Sequence, residues 1–159
     1  MTFSSYQRPS RRLLLASLTV LAARPVFANQ PGRSAVQVYR DAACGCCGAW
    51  VAALKQNKNL QVTEHVTTNL NEIKQKSRIP KTMQSCHTAK VGSFVFEGHV
   101  PPADLARFLR NPPKDAYGLT VPGMPAGSPG MEVPTGKREP YTVWALFNNA
   151  SAQPYARYK

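Results

Sequence analysis

Acidic residues are the scarce component of this 159-residue chain: 8 Asp and Glu stand against 20 Lys and Arg, a formal net charge of +12. A long hydrophobic run, an internal repeat and a basic block are also lacking, since no stretch of Lys or Arg exceeds two residues. The longest mostly apolar stretch, Leu13 to Ala23, spans 11 residues and is broken by Ser17 and Thr19. Crossing a hydrocarbon core of ~30 Å takes about 20 helical residues, so no membrane association is expected after processing. No Ser/His/Asp set, paired carboxylates or phosphate loop stands out, which leaves hydrolysis and phosphoryl transfer without support.

The first 28 residues read as an export signal. Arg8, Arg11 and Arg12 precede the apolar run, and Val26-Phe27-Ala28 offers small residues at the two positions a signal peptidase reads. Ser10-Arg11-Arg12-Leu13-Leu14-Leu15 is similar to the twin-arginine pattern, and Arg24 after the apolar run disfavours the general secretory route. Cleavage after Ala28 would remove four arginines and no acids, leaving residues 29–159 as a single domain with 16 basic and 8 acidic residues. A third of the excess charge is thus targeting signal. What remains is scattered, so an exported, periplasmic protein with a solvated basic surface is expected and nucleic acid is dropped as a partner.

After a polar leader at 29–34, Ala35 to Arg40 alternates with period two, as a half-buried strand does. A cysteine-glycine loop follows, then a helix over 48–58 with Trp50, Val51 and Leu54 at helical spacing, which places Cys47 at its N-terminus. Leu60 to Val66 reads as a second strand, with His65 at its surface. Asn69 and Glu72 form a capping-box pattern for a short helix that ends before Pro80. Runs at 87–91 and 94–97 flank Gly92-Ser93, a Gly-first type II′ turn. Such a turn pairs 91 with 94 and therefore sets Cys86 across from His99, with Cβ atoms roughly 5 Å apart. Pro102 opens a helix carrying Leu105, Phe108 and Leu109, and Asn111-Pro112-Pro113 stops it. The Pro- and Gly-rich stretch 114–140 reads as loop, and 141–147 with 154–158 as a closing hairpin whose last strand lies at an edge. The fold class is α/β: a βαβα unit, a β-hairpin and a helix, with a C-terminal loop and hairpin extension.

Three of the four cysteines lie in Cys44-Gly45-Cys46-Cys47, and the fourth, Cys86, precedes His87. A pair of structural disulfides suits an exported protein, but every pairing must join two members of the 44–47 cluster and close a tiny loop that gains little entropy. Two chemical readings remain. Cys44 and Cys47 form a C-x-x-C at a helix start, the spacing of a dithiol redox centre whose thiol the helix dipole acidifies. Alternatively, crowded thiolates with imidazoles nearby bind metal, and soft thiolate and thioether donors select Cu(I) over zinc. Zinc sites pair their ligands differently, and adjacent cysteines suit neighbouring ions of a multinuclear site better than one tetrahedral ion.

Cys44-Gly45-Cys46-Cys47, Ser85-Cys86-His87-Thr88, Glu97-Gly98-His99-Val100-Pro101, Gly118-Leu119-Thr120-Val121-Pro122-Gly123-Met124-Pro125 and Gly127-Ser128-Pro129-Gly130-Met131-Glu132 occur in that order. Together they resemble the CopG-type periplasmic copper-resistance family, over about residues 35–158. The resemblance implies a thioredoxin-like fold, a copper site built from the cysteine cluster and the later cysteine, and a role in copper redox handling or detoxification. In that fold the hairpin start brings Cys86 to the cluster, and its return brings His99.

The expected metal set is therefore Cys44, Cys46, Cys47, Cys86 and His99. His87 should point to the opposite face from Cys86 if both lie on a strand, so it stands evenly between ligand and loop histidine. Met124 and Met131 are secondary thioether candidates, a loop methionine covering apolar surface being the alternative. Two functions are carried forward. One is an exported protein that holds Cu(I), with cycling to Cu(II), and exchanges copper ions with a periplasmic copper-handling protein; the other is a metal-free thiol–disulfide oxidoreductase using Cys44 and Cys47.

Overall fold

The computed structural model describes Met1 and residues 32–159. The export signal read in residues 1–28 otherwise lies outside the described residues. From Ser34 onward the chain builds a seven-stranded mixed sheet and three α-helices. Strand β1 (Ser34–Arg40) leads into α1 (Gly45–Lys55), β2 (Leu60–Val66) and α2 (Leu70–Lys76). A 3₁₀ turn at Lys81–Met83 precedes the hairpin β3 (Thr88–Val91) and β4 (Phe94–Glu97), then α3 (Pro102–Arg110). The last three strands are β5 (Ala116–Thr120), β6 (Tyr141–Phe147) and β7 (Ala152–Tyr158). Spatial order is β2-β1-β3-β4-β5-β6-β7, with β1 parallel to β2, β4 parallel to β5 and the other neighbours antiparallel. The expected succession of βαβα, hairpin and helix is present. Among the described residues no helix is long and apolar enough to cross a membrane.

Alternation on β1 buries Val36 and Val38, and the helical spacing of α1 buries Trp50, Val51 and Leu54 beside them. Phe108 of α3 meets Phe94 and Phe96 edge-on at ring distances of 5.2 and 5.6 Å, which fastens that helix to the hairpin. Pro102 occupies the start of α3, where its missing N–H costs no intrahelical bond.

The hairpin register is the one the Gly92-Ser93 turn dictates: Thr88 faces Glu97 and Val91 faces Phe94. Gly92 takes φ 57°, as the first residue of a type II′ turn requires.

Three local expectations are corrected. Helix α1 starts at Gly45, three residues before the expected position, because neither glycine at 45 or 48 interrupts the turn; Cys44 is then its N-cap and Cys46 and Cys47 fall in the first turn. Asn69 stands at the N-cap of α2 but makes no side-chain cap bond; instead its N–H donates to Thr67 Oγ1 at 3.0 Å. The stretch 114–140 is not all loop, since β5 runs through it. Gly118, one of the glycines of that stretch, sits inside the strand where the backbone of Val95 approaches too closely for a side chain.

Candidate metal and thiol site

Three separate stretches of chain build the site. The first is the turn into α1, shaped by Asp41, whose Oδ1 accepts the Ala43 N–H at 2.8 Å. It ends at Cys44, and Cys47 is fully buried one turn along. Cys44 and Cys47 are joined as a disulfide, while Cys46 and Cys86 are free; Cys46 Sγ lies 3.5 Å from Cys44 Sγ. Cys44, Cys46 and Cys47 thus stand at the N-terminal, positive end of the α1 dipole.

The second stretch is the hairpin base. Cys86 Sγ stands 3.2 Å from His87 Nδ1 and 3.1 Å from His99 Nε2. The sulfurs of Cys44, Cys46, Cys47 and Cys86 all lie within 4.8 Å of one another, and so do the donor atoms of Cys86, His87 and His99. Cys86 thus belongs to both groups. The expected meeting of Cys86 with His99 is found. The expectation that His87 turns away is overturned: β3 begins only at Thr88, Cys86 lies in a bend, and strand alternation does not govern the pair. His87 is fully buried, not a solvent histidine.

The third stretch is the loop after β5. His99 Nδ1 donates to the Pro129 carbonyl at 2.8 Å, and because a carbonyl only accepts, the Nε2 lone pair must face Cys86. Gly130 makes this seating of the loop possible, since a Cβ there would stand 2.7 Å from Trp50 N and 2.8 Å from Cys46 O. Met131 is half-buried beside it, and Met124 is exposed; neither is placed as a ligand by any contact in the structure. His65 lies elsewhere, bonded to Gln37 and stacked on Tyr39.

Electrostatics keep the hairpin side neutral. Burial pushes the Cys86 thiol up to about 11. Burial, helped by the neighbouring His99 and Lys74, pushes His87 down to about 3. Burial also lowers His99, against the opposing pull of its bond to Pro129 and the Glu132 charge. A hydrogen-bond order follows: the Cys86 S–H donates to His99 Nε2, the Cys86 sulfur accepts from His87 Nδ1–H, and His87 Nε2 is left as a buried lone pair with no donor. Trp50 covers that ring at 4.3 Å and anchors itself by donating Nε1–H to Val100 O at 2.8 Å.

The protonation of His87 gives a first prediction. The unfolded chain binds a proton on this residue near pH 6.5, whereas the folded chain resists it down to about 3. Stability of metal-free protein should therefore be full above pH 6.5 and fall on acidification to about pH 3, by up to about 1.4 kcal/mol per pH unit. Melting midpoints at pH 7 and 5 check this; a His87→Asn variant should show a shallower decline, and an equal slope in both proteins would remove the assignment.

Sequence reading missed four contributors: the Pro129 carbonyl, Trp50 as a lid on His87, and the buried pair Lys74 and Glu97. Lys74 lies in a mostly polar seven-residue helix with nothing to distinguish it from a surface lysine, although Glu97 was within a recognised motif.

Fold and site together define a mixed α/β protein with a convergent cysteine and histidine cluster at one end of its β1–β3–β4 sheet region. Residues 83–131 match a family model described as "Protein of unknown function, DUF411". Two solved structures, described as copper resistance protein copG, form 2 and form 1, are 40% and 39% identical to the chain. Each alignment covers 79% of this chain and 98% of the other, with a TM-score of 0.74. The chain belongs to the CopG copper-resistance protein family. A comparison with curated proteins finds no match.

Proposed function

We propose that this is an exported copper-binding protein that takes Cu(I) into the cluster of Cys44, Cys46, Cys47 and Cys86, with His99 and His87 completing the donor set. The observation that carries the reading is the convergence of four cysteine sulfurs and two neutral imidazoles around a shared Cys86. The chemistry of the donors fits the ion: sulfur and imidazole are soft ligands, and no carboxylate joins either group, which favours copper over magnesium, calcium or manganese. Zinc is disfavoured by the adjacent Cys46 and Cys47, which suit two neighbouring ions of a multinuclear cluster better than one tetrahedral centre. The fixed tautomer of His99 adds the outer support that metal-ligating histidines need. Family membership supports a role in copper resistance.

Copper is cargo in this reading, and the thiols also supply electrons. Closing the Cys44–Cys47 disulfide from the dithiol would release two electrons and two protons, the count that takes two Cu(II) ions to Cu(I), and would leave those ions to Cys46, Cys86 and the two imidazoles, so that binding by all four sulfurs belongs to the reduced chain. Localisation in the periplasm rests on the signal read in residues 1–28, and the exchange partner on that reading is a periplasmic copper-handling protein. The connectivity β1-α1-β2-α2-β3-β4-α3 with spatial order β2-β1-β3-β4 supports a thioredoxin-like core. Elemental analysis with a free-thiol count, on protein purified without added reductant and again after reduction and anaerobic loading with Cu(I), tests the proposal. Copper is expected, with more than one ion per fully reduced chain; zinc alone, or no copper in the reduced chain, overturns it.

The disulfide between Cys44 and Cys47 favours a second reading, thiol–disulfide exchange without metal. It predicts that the metal-free dithiol turns over a model disulfide and that Cys44→Ser abolishes turnover. An inert dithiol would end that reading.

A further inference from the structure

Glu97 and Lys74 form a buried ion pair at 2.5 Å, with side-chain exposures of 0% and 5%. Two further groups complete it. Thr88 Oγ1 receives Lys74 Nζ at 3.1 Å and donates to Glu97 Oε2 at 2.6 Å, and the Ser85 backbone N–H donates to Glu97 Oε1 at 2.7 Å. The carboxylate thus grips the main chain one residue before Cys86. Ser85 is held from other sides too: its hydroxyl donates to the Gly123 carbonyl and sits 3.8 Å from Cys86 Sγ, and Gly98 leaves the room it fills, a Cβ there falling 2.5 Å from Ser85 Cβ.

A buried ion pair is a poor stabilising device, because desolvating both charges offsets their attraction, and apolar replacements of similar volume are often no less stable. Its retention here needs another reason. The Ser85-Cys86-His87 bend is tied to the return strand by one backbone bond, Gly98 N–H to the His87 carbonyl at 2.9 Å, and among the described residues none reaches the backbone of Cys86 itself before β3 begins at Thr88. Something outside the strand must fix where Cys86 Sγ points, and it must be fixed between two imidazoles only 3.1 and 3.2 Å away.

We propose that Glu97 is a positioning residue for Cys86, its Oε1 holding the Ser85 N–H, with Lys74 as the counter-ion that seats the buried carboxylate. This rests on the copper reading of the site for its functional meaning. The acceptor, not the charge, is the element in contact with the bend. Two double variants separate these. Lys74→Met/Glu97→Gln removes both charges but keeps an oxygen for Ser85 and an amide for Thr88. Lys74→Met/Glu97→Leu removes the acceptor as well.

Each is measured in two ways. The first is Cu(I) affinity of the reduced protein, by competition with a chromophoric chelator. The second is the rate at which iodoacetamide alkylates Cys86 in metal-free protein with the Cys44–Cys47 disulfide intact, Cys46 serving as internal reference. The Leu variant should lose Cu(I) affinity about tenfold or more, the range seen for residues that orient metal ligands. Its Cys86 should alkylate about tenfold faster, while the Gln variant stays within about threefold of the parent on both measures. Two folded variants that behave alike overturn the proposal. If the Leu variant does not fold, Glu97→Asp decides: it keeps the charges but withdraws the acceptor by one methylene, and parent-like affinity and alkylation there overturn the proposal. A parent protein that binds no Cu(I) removes the copper reading, yet the alkylation rates still judge the positioning.

Discussion

Cys86→Ser is expected to lower the number of Cu(I) ions bound per reduced chain and to weaken those that remain by at least about 100-fold. That is the upper end of what loss of a merely supporting residue costs a metal site. The size follows from where the sulfur stands. Cys86 is the one residue common to the four-cysteine group and to the Cys86, His87 and His99 group, so its loss removes a donor from both and leaves them without a shared atom. Serine keeps the volume and the hydrogen bond to His99 but offers a hard oxygen where a soft ion prefers sulfur. Folding should change little, because Cys86 is only partly buried and takes no part in the disulfide. Anaerobic titration with a Cu(I) chelator as competitor reads both number and affinity. Parent-like values would mean that the hairpin thiol is not part of the copper site.

The second large effect is structural. Gly118→Val should cost more than about 4 kcal/mol, in the range reserved for a few identifiable mechanisms. A Cβ at 118 would lie 2.0 Å from the Val95 carbonyl oxygen and 2.7 Å from Val95 Cγ1, so β5 cannot keep its place beside β4. Gly118 pairs directly with Val95 in the parallel ladder, and the register with β6 shifts beside it. Thermal unfolding of the metal-free chain should show a midpoint lower by roughly 10–20 °C, or the variant should fail to accumulate as folded protein. Gly48→Ala is the matching control: nothing lies within 4 Å of its Cβ position, and an alanine inside α1 should stabilise by about 0.5–1 kcal/mol. If both glycine variants melted alike, the close approach of β4 and β5 would not be what Gly118 serves.

Much of the fold is legible in the residues because local rules there agree with the tertiary result. The β1 alternation, the β2 limits, the Gly92-Ser93 turn and the Pro102 start all describe short-range geometry that packing does not contradict. The turn is the most informative of these, since fixing 91 opposite 94 also fixes Cys86 near His99 before any contact is seen. The strand at 116–120 escapes such reading because its glycine is demanded by a neighbour far along the chain, and sequence spacing carries no trace of that neighbour. His87 was misjudged for a related reason: alternation holds only along a regular strand, and the chain bends at Cys86 before β3 begins. The Lys74–Glu97 pair is the least legible feature. A lysine on a polar helix looks like a surface residue until the fold places α2 against β3 and β4.

His99 takes its orientation from a carbonyl thirty residues further along, and Gly130 must press onto α1 for that carbonyl to arrive. An unfolded chain therefore offers only sequence-local groups, the thiols of residues 44–47 and the adjacent Cys86 and His87, while the full donor set exists only in the native state. Any ion held by that set binds the folded form far better than the unfolded one, and linkage turns its affinity into added resistance to unfolding that grows with free ion concentration. Holding the metal and staying folded are, for this chain, two measurements of one equilibrium.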